Sequence, residues 1–392
     1  MNNGHLPKDT RGACCMGQSS YFAPLNVSSP LQNCHNRDIP MKAALIVLAA
    51  CLAPAAFANA TNVFCISSPD DLTNALASLS TSAANTDADE LRIQTGTYFA
   101  PAGGWIGSVT THHALTIRGG YTDDGCTQQT LNASMTILDG NDASGVMTIN
   151  TPLSPNSDIE VSDLTFQHGK ASNAGTSCAG GLKIGDPGPI NNGKVLIERN
   201  IFRDNSALSN GFSHAVGGLL AATDGDSLIV RGNLFVNNSS PNEAAAFFYS
   251  DHEIDVRNNT FAGNHSTGVA LDFFTATALM LSNNIFWGNA TGDGEFDINL
   301  SGQFIHATLV NNDIQTATGT AKSATGTLQV DPEFVGEGDF RLAAFSPLID
   351  AGVDIVPGGL SSVDLDGSPR IDGEAVDLGA YESSYIFVST FE

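Results

Sequence analysis

The stretch Val195-Leu-Ile197-Glu-Arg-Asn200-Ile-Phe202-Arg-Asp-Asn205 is written again as Val230-Arg-Gly-Asn233-Leu-Phe235-Val-Asn-Asn238, Val256-Arg-Asn-Asn259-Thr-Phe261-Ala-Gly-Asn264 and Leu281-Ser-Asn-Asn284-Ile-Phe286-Trp-Gly-Asn289. A worn fifth copy stands at Leu309-Val-Asn-Asn312-Asp-Ile314. Each copy is an apolar strand, an asparagine, an aromatic or aliphatic residue two later and, in the first four, a second asparagine. The phenylalanines are 33, 26 and 25 residues apart, and Ile314 follows Phe286 by 28. Repeats of this length belong to stacked architectures in which each turn of chain lies on the last.

In a coil of strands at ~4.8 Å spacing, equivalent residues form columns along the axis. Phe202, Phe235, Phe261 and Phe286 are expected to fill the interior. Asn200, Asn233, Asn259, Asn284 and Asn312 are expected to bond from rung to rung while tolerating left-handed backbone at a tight bend. Loop asparagines between antiparallel hairpins would explain the turns but not the fixed offset to phenylalanine. The expected fold is therefore all-β, a right-handed parallel β-helix with a short N-terminal capping helix and an irregular C-terminal cap.

Toward the N-terminus, residues 1–40 are polar and aperiodic and are read as an over-called, disordered extension. From Met41 the text becomes MKAALIVLAACLAPAAFANA, a basic start, an apolar run and a small-residue end. That is the pattern of a secretory signal peptide over 41–60. A lipidation box at Leu48-Ala-Ala-Cys51 is the rival reading and would leave too short an apolar run. No later stretch reaches the eighteen apolar residues or so that span a bilayer.

One domain is expected over 61–382, with an N-terminal cap at 61–98, central rungs at 99–330, a C-terminal cap at 331–382 and a tail at 383–392. The pattern Ser68-Pro-Asp-Asp-Leu-Thr-Asn-Ala-Leu-Ala-Ser-Leu predicts a helix that covers the first rung. With export, Cys65 and Cys126 are expected to form a disulfide joining the first strand to an early turn, leaving Cys178 packed.

The chain carries 16 Lys and Arg against 41 Asp and Glu, a formal charge of −25. Residues 61–392 retain 12 of the basic and 39 of the acidic residues, so their charge is −27. Nucleic acid and anionic membranes are poor partners for such a surface. A monomer acting outside the cell or at its surface, or in the periplasm, is expected, with polysaccharide or cell-surface glycan as the partner to consider.

The strand-Asn-Phe-Asn rungs resemble right-handed parallel β-helix proteins of the pectin lyase-like group. Cys65, Gly96-Thr-Tyr98, Gly119-Gly-Tyr121 and Cys126 resemble exported bacterial members. The segments Asp331-Pro-Glu-Phe334, Ser346-Pro-Leu-Ile-Asp350-Ala-Gly352, Asp364-Leu-Asp-Gly367-Ser-Pro-Arg370 and Asp377-Leu-Gly-Ala-Tyr-Glu382 are similar to the C-terminal region of choice-of-anchor Q domain proteins. The resemblance implies the fold and export, and no agreed reaction.

Chemistry, if present, is expected on a strand face running through Gly181-Leu-Lys-Ile184, Ala246-Phe-Phe-Tyr249, Val269-Ala-Leu-Asp-Phe273 and Phe296-Asp-Ile-Asn-Leu300. With Leu182, Phe247, Val269, Leu271 and Ile298 pointing inward, alternation turns Lys183, Phe248, Asp272, Asp297 and Asn299 outward. Asp224, Asp251 and His252 would flank them. Asp251 and Asp272, with Asp297 next, are the candidate acid and base for glycoside hydrolysis. A uronate lyase would need a base and cations, and this face supplies only Lys183. The plainer reading, which weighs more, is that these aspartates keep a long sheet soluble.

No cofactor is required. Asp364, Asp366 and Asp377 are a candidate calcium set, since hard cations take clustered oxygens, against the favoured reading that they cap turns through the backbone. A phosphate loop, a helical zinc-binding histidine pair and a serine elbow are all missing from the text. The leading expectation is a structural or adhesive surface protein that binds carbohydrate; the alternative is a polysaccharide hydrolase or, less favoured, a lyase.

Overall fold

The structure is a computed structural model that describes residues 61–384 apart from 80–87, 110–113, 152–156, 174–175, 188–192, 210–213, 226, 276, 290–294 and 302–305. The readings of 1–60 and of the tail from 385 fall outside the described residues. Three long sheets, all of parallel strands, wind along the chain. Sheet A runs in ten strands from Thr61–Ile66 to Ser323–Thr325, and sheet B in eight from Gly96–Phe99 to Asp313–Ile314. Sheet C runs from Trp105–Ser108 to Ala317–Gly319. A four-stranded sheet D, from Lys170–Asn173 to His265–Ser266, lies on the path between B and C. The chain visits A, B, D and C in turn and returns to A one rung on, which is a parallel β-helix. Among the described residues no helix is long and apolar enough to cross a membrane.

The repeated phrase builds this by placing one side chain per rung in each column. Register in sheet B runs Tyr98, Leu138, Phe166, Phe202, Phe235, Phe261, Phe286, Ile314. Consecutive phenylalanine rings stack at 5.1, 4.8, 4.5 and 4.6 Å, all within 8° of parallel. Phe166 joins the column although its rung carries Leu164 where the others carry asparagine.

The asparagine column forms as expected. Each of Asn200, Asn233, Asn259 and Asn284 donates Nδ2 to the side-chain oxygen of the next, ending on Asn312, at 2.9–3.2 Å. Each also donates to a backbone carbonyl of the preceding rung, as Asn259 does to Val230 at 2.9 Å. A second ladder runs through Asn205, Asn238, Asn264 and Asn289 and terminates on the Asp297 carboxylate at 2.7 Å. One detail differs from expectation: the left-handed residue is the one before each ladder asparagine. Arg199, Gly232, Asn258, Asn283 and Asn311 have φ between 49° and 64°. The ladder side chain thus accepts from backbone at the bend, and its neighbour makes the bend.

The helix spans Pro69–Ser78, with Ser68 as N-cap accepting from Asp71 N. Leu72, Leu76 and Leu79 are buried in the same core as Trp105, Leu91 and Ile93, so the helix closes the first rung. Cys65 and Cys126 are disulfide-bonded, with Cα atoms 5.5 Å apart.

Residues 331–382 are irregular as expected, and much of the segment runs back along the coil. Leu365 and Ala380 pack on Ile201, Leu234 and Val236, on the outer face of sheet B. Leu348 and Leu378 cover Ile285 two rungs further along. Its backbone meets the row of left-handed corners: Asn283 Nδ2 donates to Val353 O at 3.0 Å and Asn311 Nδ2 to Ala351 O at 2.8 Å. Fully buried Arg257 donates to Pro357 O and pairs with Asp255. Glu198 accepts from Ser361 and pairs with Arg199 and Arg231. The segment is a strap that buries a ladder of charges at the junction of sheets A and B.

Candidate functional site

Sheet C carries the candidate residues, and its phase decides which of them meet. The inward column reads Trp105, Met147, Leu182, Leu219, Ala246, Leu271 and Ile298. The strand Glu243–Ser250 contains a register shift between Glu243 and Ala246, the mark of a bulge. Ala246, not Phe247, therefore continues the inward column. Phe248 is fully buried in the core, against the expectation that it faces out. Phe247 points to the outer side of the sheet instead, where it is itself buried against Val216, Leu220 and Tyr249. Val269, expected inward, is only half-buried.

The outward column is then Ile106, Thr148, Lys183, Leu220, Phe247 and Asp272. Asn299 follows Asp272 and donates Nδ2 to its carboxylate at 2.9 Å. Asp297 leaves the groove set, because it is fully buried and caps the second asparagine ladder. Its carboxylate also accepts from Thr316 N and Oγ1, at 2.7 and 2.8 Å. Burial pushes its carboxyl above the usual aspartate range against these bonds.

Around Asp272 the structure assembles two residues that were not singled out from the sequence. His214 Nδ1 lies 2.9 Å from Glu243 Oε1, and its ring stacks on Phe247 at 3.6 Å. Burial, with the Glu243 charge adding to it, pushes the Asp272 carboxyl up to about 6, while bonds from Phe273 N and Asn299 and the nearby His214 act the other way. Glu243 is 5% exposed, and its Oε2 is buried without a hydrogen-bond partner among the described residues. A carboxyl whose pKa is raised to about 6, close enough to a second carboxylate to feel its charge, is an electrostatic arrangement that general-acid chemistry uses. No spacing signal in the sequence joins His214 and Glu243, which lie on neighbouring rungs.

Asp251, Asp224 and His252 form a separate group at the turns that end these strands. Asp251 lies four residues past Phe247, so it stands ~13 Å along the strand direction from the level of Asp272. The two proposed carboxylates are thus not brought together. Tyr249, stacked on Phe274 at 5.1 Å, has its hydroxyl pKa raised by burial and then by the charges of Asp251 and Asp224. His252 N donates to the Ser250 hydroxyl oxygen, a turn arrangement.

A cleft on this face lies at the early rungs, a space of about 450 Å³ lined by Lys183 and Lys170 among others. Lys183 is 8% exposed and paired with Asp186 at 2.7 Å.

Asp364, Asp366 and Asp377 are engaged elsewhere. Asp364 accepts from the backbone of Asp366, Ser368 and Glu382, and Asp377 from that of Asp350 and Ser383, at 2.7–3.0 Å. Asp366 pairs with Arg341 at 2.8 Å. Oxygens already taken by N–H donors make a poor calcium cage, and among the described residues no group of three or more His, Cys, Asp or Glu is arranged to hold a metal ion.

No protein-family model and no curated protein matches this chain. The parallel β-helix itself rests on the strand register above.

Proposed function

We propose that the chain is an exported β-helix protein, of the pectin lyase-like, choice-of-anchor Q kind that its rungs and closing segments resemble, and that it binds carbohydrate along the outer face of sheet C. The observation that carries this reading is the stacked pair of rings Tyr249 and Phe274, the latter 40% exposed, on the outer face of sheet C together with the half-buried, hydrogen-bonded Asp272 and Asn299. Aromatic rings among a few convergent polar groups are the usual lining of ligand sites. Successive strands repeat at ~4.8 Å, a step suited to a linear glycan lying along the axis.

Hydrolysis is the second reading, favoured by the raised Asp272 carboxyl beside Glu243. In it Asp272 would donate a proton to the leaving oxygen, and Glu243 would act as base or nucleophile.

Affinity electrophoresis of the full chain in gels containing neutral or acidic polysaccharides tests binding, with reducing-end release measured in parallel. Retardation lost in Tyr249→Ala/Phe274→Ala is expected. Migration unchanged by every glycan would refute the binding reading. Reducing ends that vanish in Asp272→Asn would promote the hydrolase.

A further inference from the structure

The chain is strongly acidic, with 41 acidic and 16 basic residues, yet among the described residues no Asp or Glu lines the cleft of about 450 Å³ at its early rungs. Two lysines do, Lys170 and Lys183, together with the hydroxyl and amide groups of Ser144, Ser172, Thr148 and Asn150. The residues come from three places. Thr148 and Lys183 are consecutive members of the outward column of sheet C. Lys170 and Ser172 belong to the first strand of sheet D, tied to the opposite wall by Lys170 N donating to Ser144 O at 2.8 Å.

The walls are drawn in by glycine. A Cβ at Gly169 would lie 1.9 Å from the Gly180 carbonyl, and one at Gly104 would lie 2.2 Å from the Gly145 carbonyl. Neither corner closes with a larger residue. Lys183 is nine-tenths buried, and Asp186, outside the cleft lining, takes one of the three N–H donors of its ammonium. A lysine held in this way loses less side-chain entropy when it meets a ligand.

We propose that this cleft is a binding site for a single anionic sugar unit, one carrying a carboxylate or sulfate group. Lys170 and Lys183 receive the anionic group, and the surrounding hydroxyls and amide receive the ring hydroxyls. Its size suits a single sugar unit rather than a long polymer, and its Lys183 lies three rungs from Asp272 in the same outward column. The word sugar rests on the carbohydrate reading above; the anion preference rests on the cleft alone.

Isothermal titration calorimetry of the full chain with glucuronic acid, glucose 6-sulfate, glucose and inorganic sulfate tests it. Both anionic sugars are expected to bind, more weakly as salt rises, and glucose is not. Loss of two charged donors in Lys170→Gln/Lys183→Gln should weaken binding about tenfold or more. The single Lys170→Gln change, at an exposed position, gives a smaller loss in a chain whose fold is not at risk. Lys322→Gln, equal in charge but remote, should bind as the parent does. Binding of glucose as tight as of the anionic sugars, or affinity unchanged in the lysine variants, overturns the proposal. Inorganic sulfate bound as tightly as glucose 6-sulfate overturns its sugar part and leaves an anion site only. Tyr249→Ala/Phe274→Ala keeps the two readings apart, since it should abolish glycan retardation on the later rungs and leave binding in this cleft intact.

Discussion

Replacing Asn259 with aspartate changes one NH₂ for one oxygen in the middle of the inner ladder, with almost no change in shape. Asn259 is fully buried. Its side-chain oxygen accepts from Asn233 N and Nδ2, both at 2.9 Å. Its Nδ2 donates to Val230 O, Arg257 O and Asn284 Oδ1 at 2.9–3.0 Å. Aspartate keeps the accepted bonds and loses the donated ones, leaving three oxygens facing a fourth. At a net ~1 kcal/mol per bond and ~1–3 kcal/mol for a buried group left unpaired, the expected loss is roughly 3–5 kcal/mol at pH 7.

The new carboxyl would have a folded pKa above its unfolded value, because burial and facing carbonyls disfavour the charge. The added destabilisation is then full above the folded pKa and shrinks as pH falls toward the unfolded value near ~4, where the protonated acid regains one donor. Urea unfolding of parent, Asn259→Asp and Asn259→Ala at pH 7 and pH 5 measures this, with m-values compared because solenoids unfold locally. Asn259→Asp within ~1 kcal/mol of the parent at pH 7 would refute the claim that the ladder's bonds, rather than its packing, hold the bends.

Four further outcomes are expected. Phe261→Ala, in the middle of the ring column, should cost ~3–5 kcal/mol and Phe261→Leu markedly less, read by the same denaturation. Opening the 61-residue Cys65–Cys126 span by Cys65→Ala/Cys126→Ala should cost about 4 kcal/mol in the entropy model, with reductant then having no effect on the variant. Arg257→Ala leaves Asp255 buried without its partner and removes a donor to the strap, so a loss of ~3–5 kcal/mol and faster proteolysis within 353–382 are expected. Asp272 should titrate near 6 in the folded chain; its contribution to stability falls as pH rises from ~4 to ~6, and Asp272→Asn should flatten that slope.

The coil, its two polar ladders and its ring column were legible because the phrase that makes them is short and rigid. Two left-handed bends bracket a three-residue strand, so Asn200, Phe202 and Asn205 keep one offset in every full copy. Phe166 is not legible as a member of the column because its rung lacks the asparagine. The phase of sheet C is not legible at one strand, since Ala246-Phe-Phe-Tyr249 alternates equally well either way and only the bulge after Glu243 chooses.

What the sequence determined by itself is therefore the architecture and the stacking of like residues, because columns need only a constant local spacing. The tertiary structure decided which unlike residues meet. His214, Glu243 and Asp272 come from three rungs, Lys170 and Lys183 from two different sheets of one rung, and the strap's partners lie 100 residues or so upstream. The segments between the strands vary in length, so one-dimensional spacing carries no record of those encounters. They follow from the loops, the bulge and the path of the closing segment along sheet B.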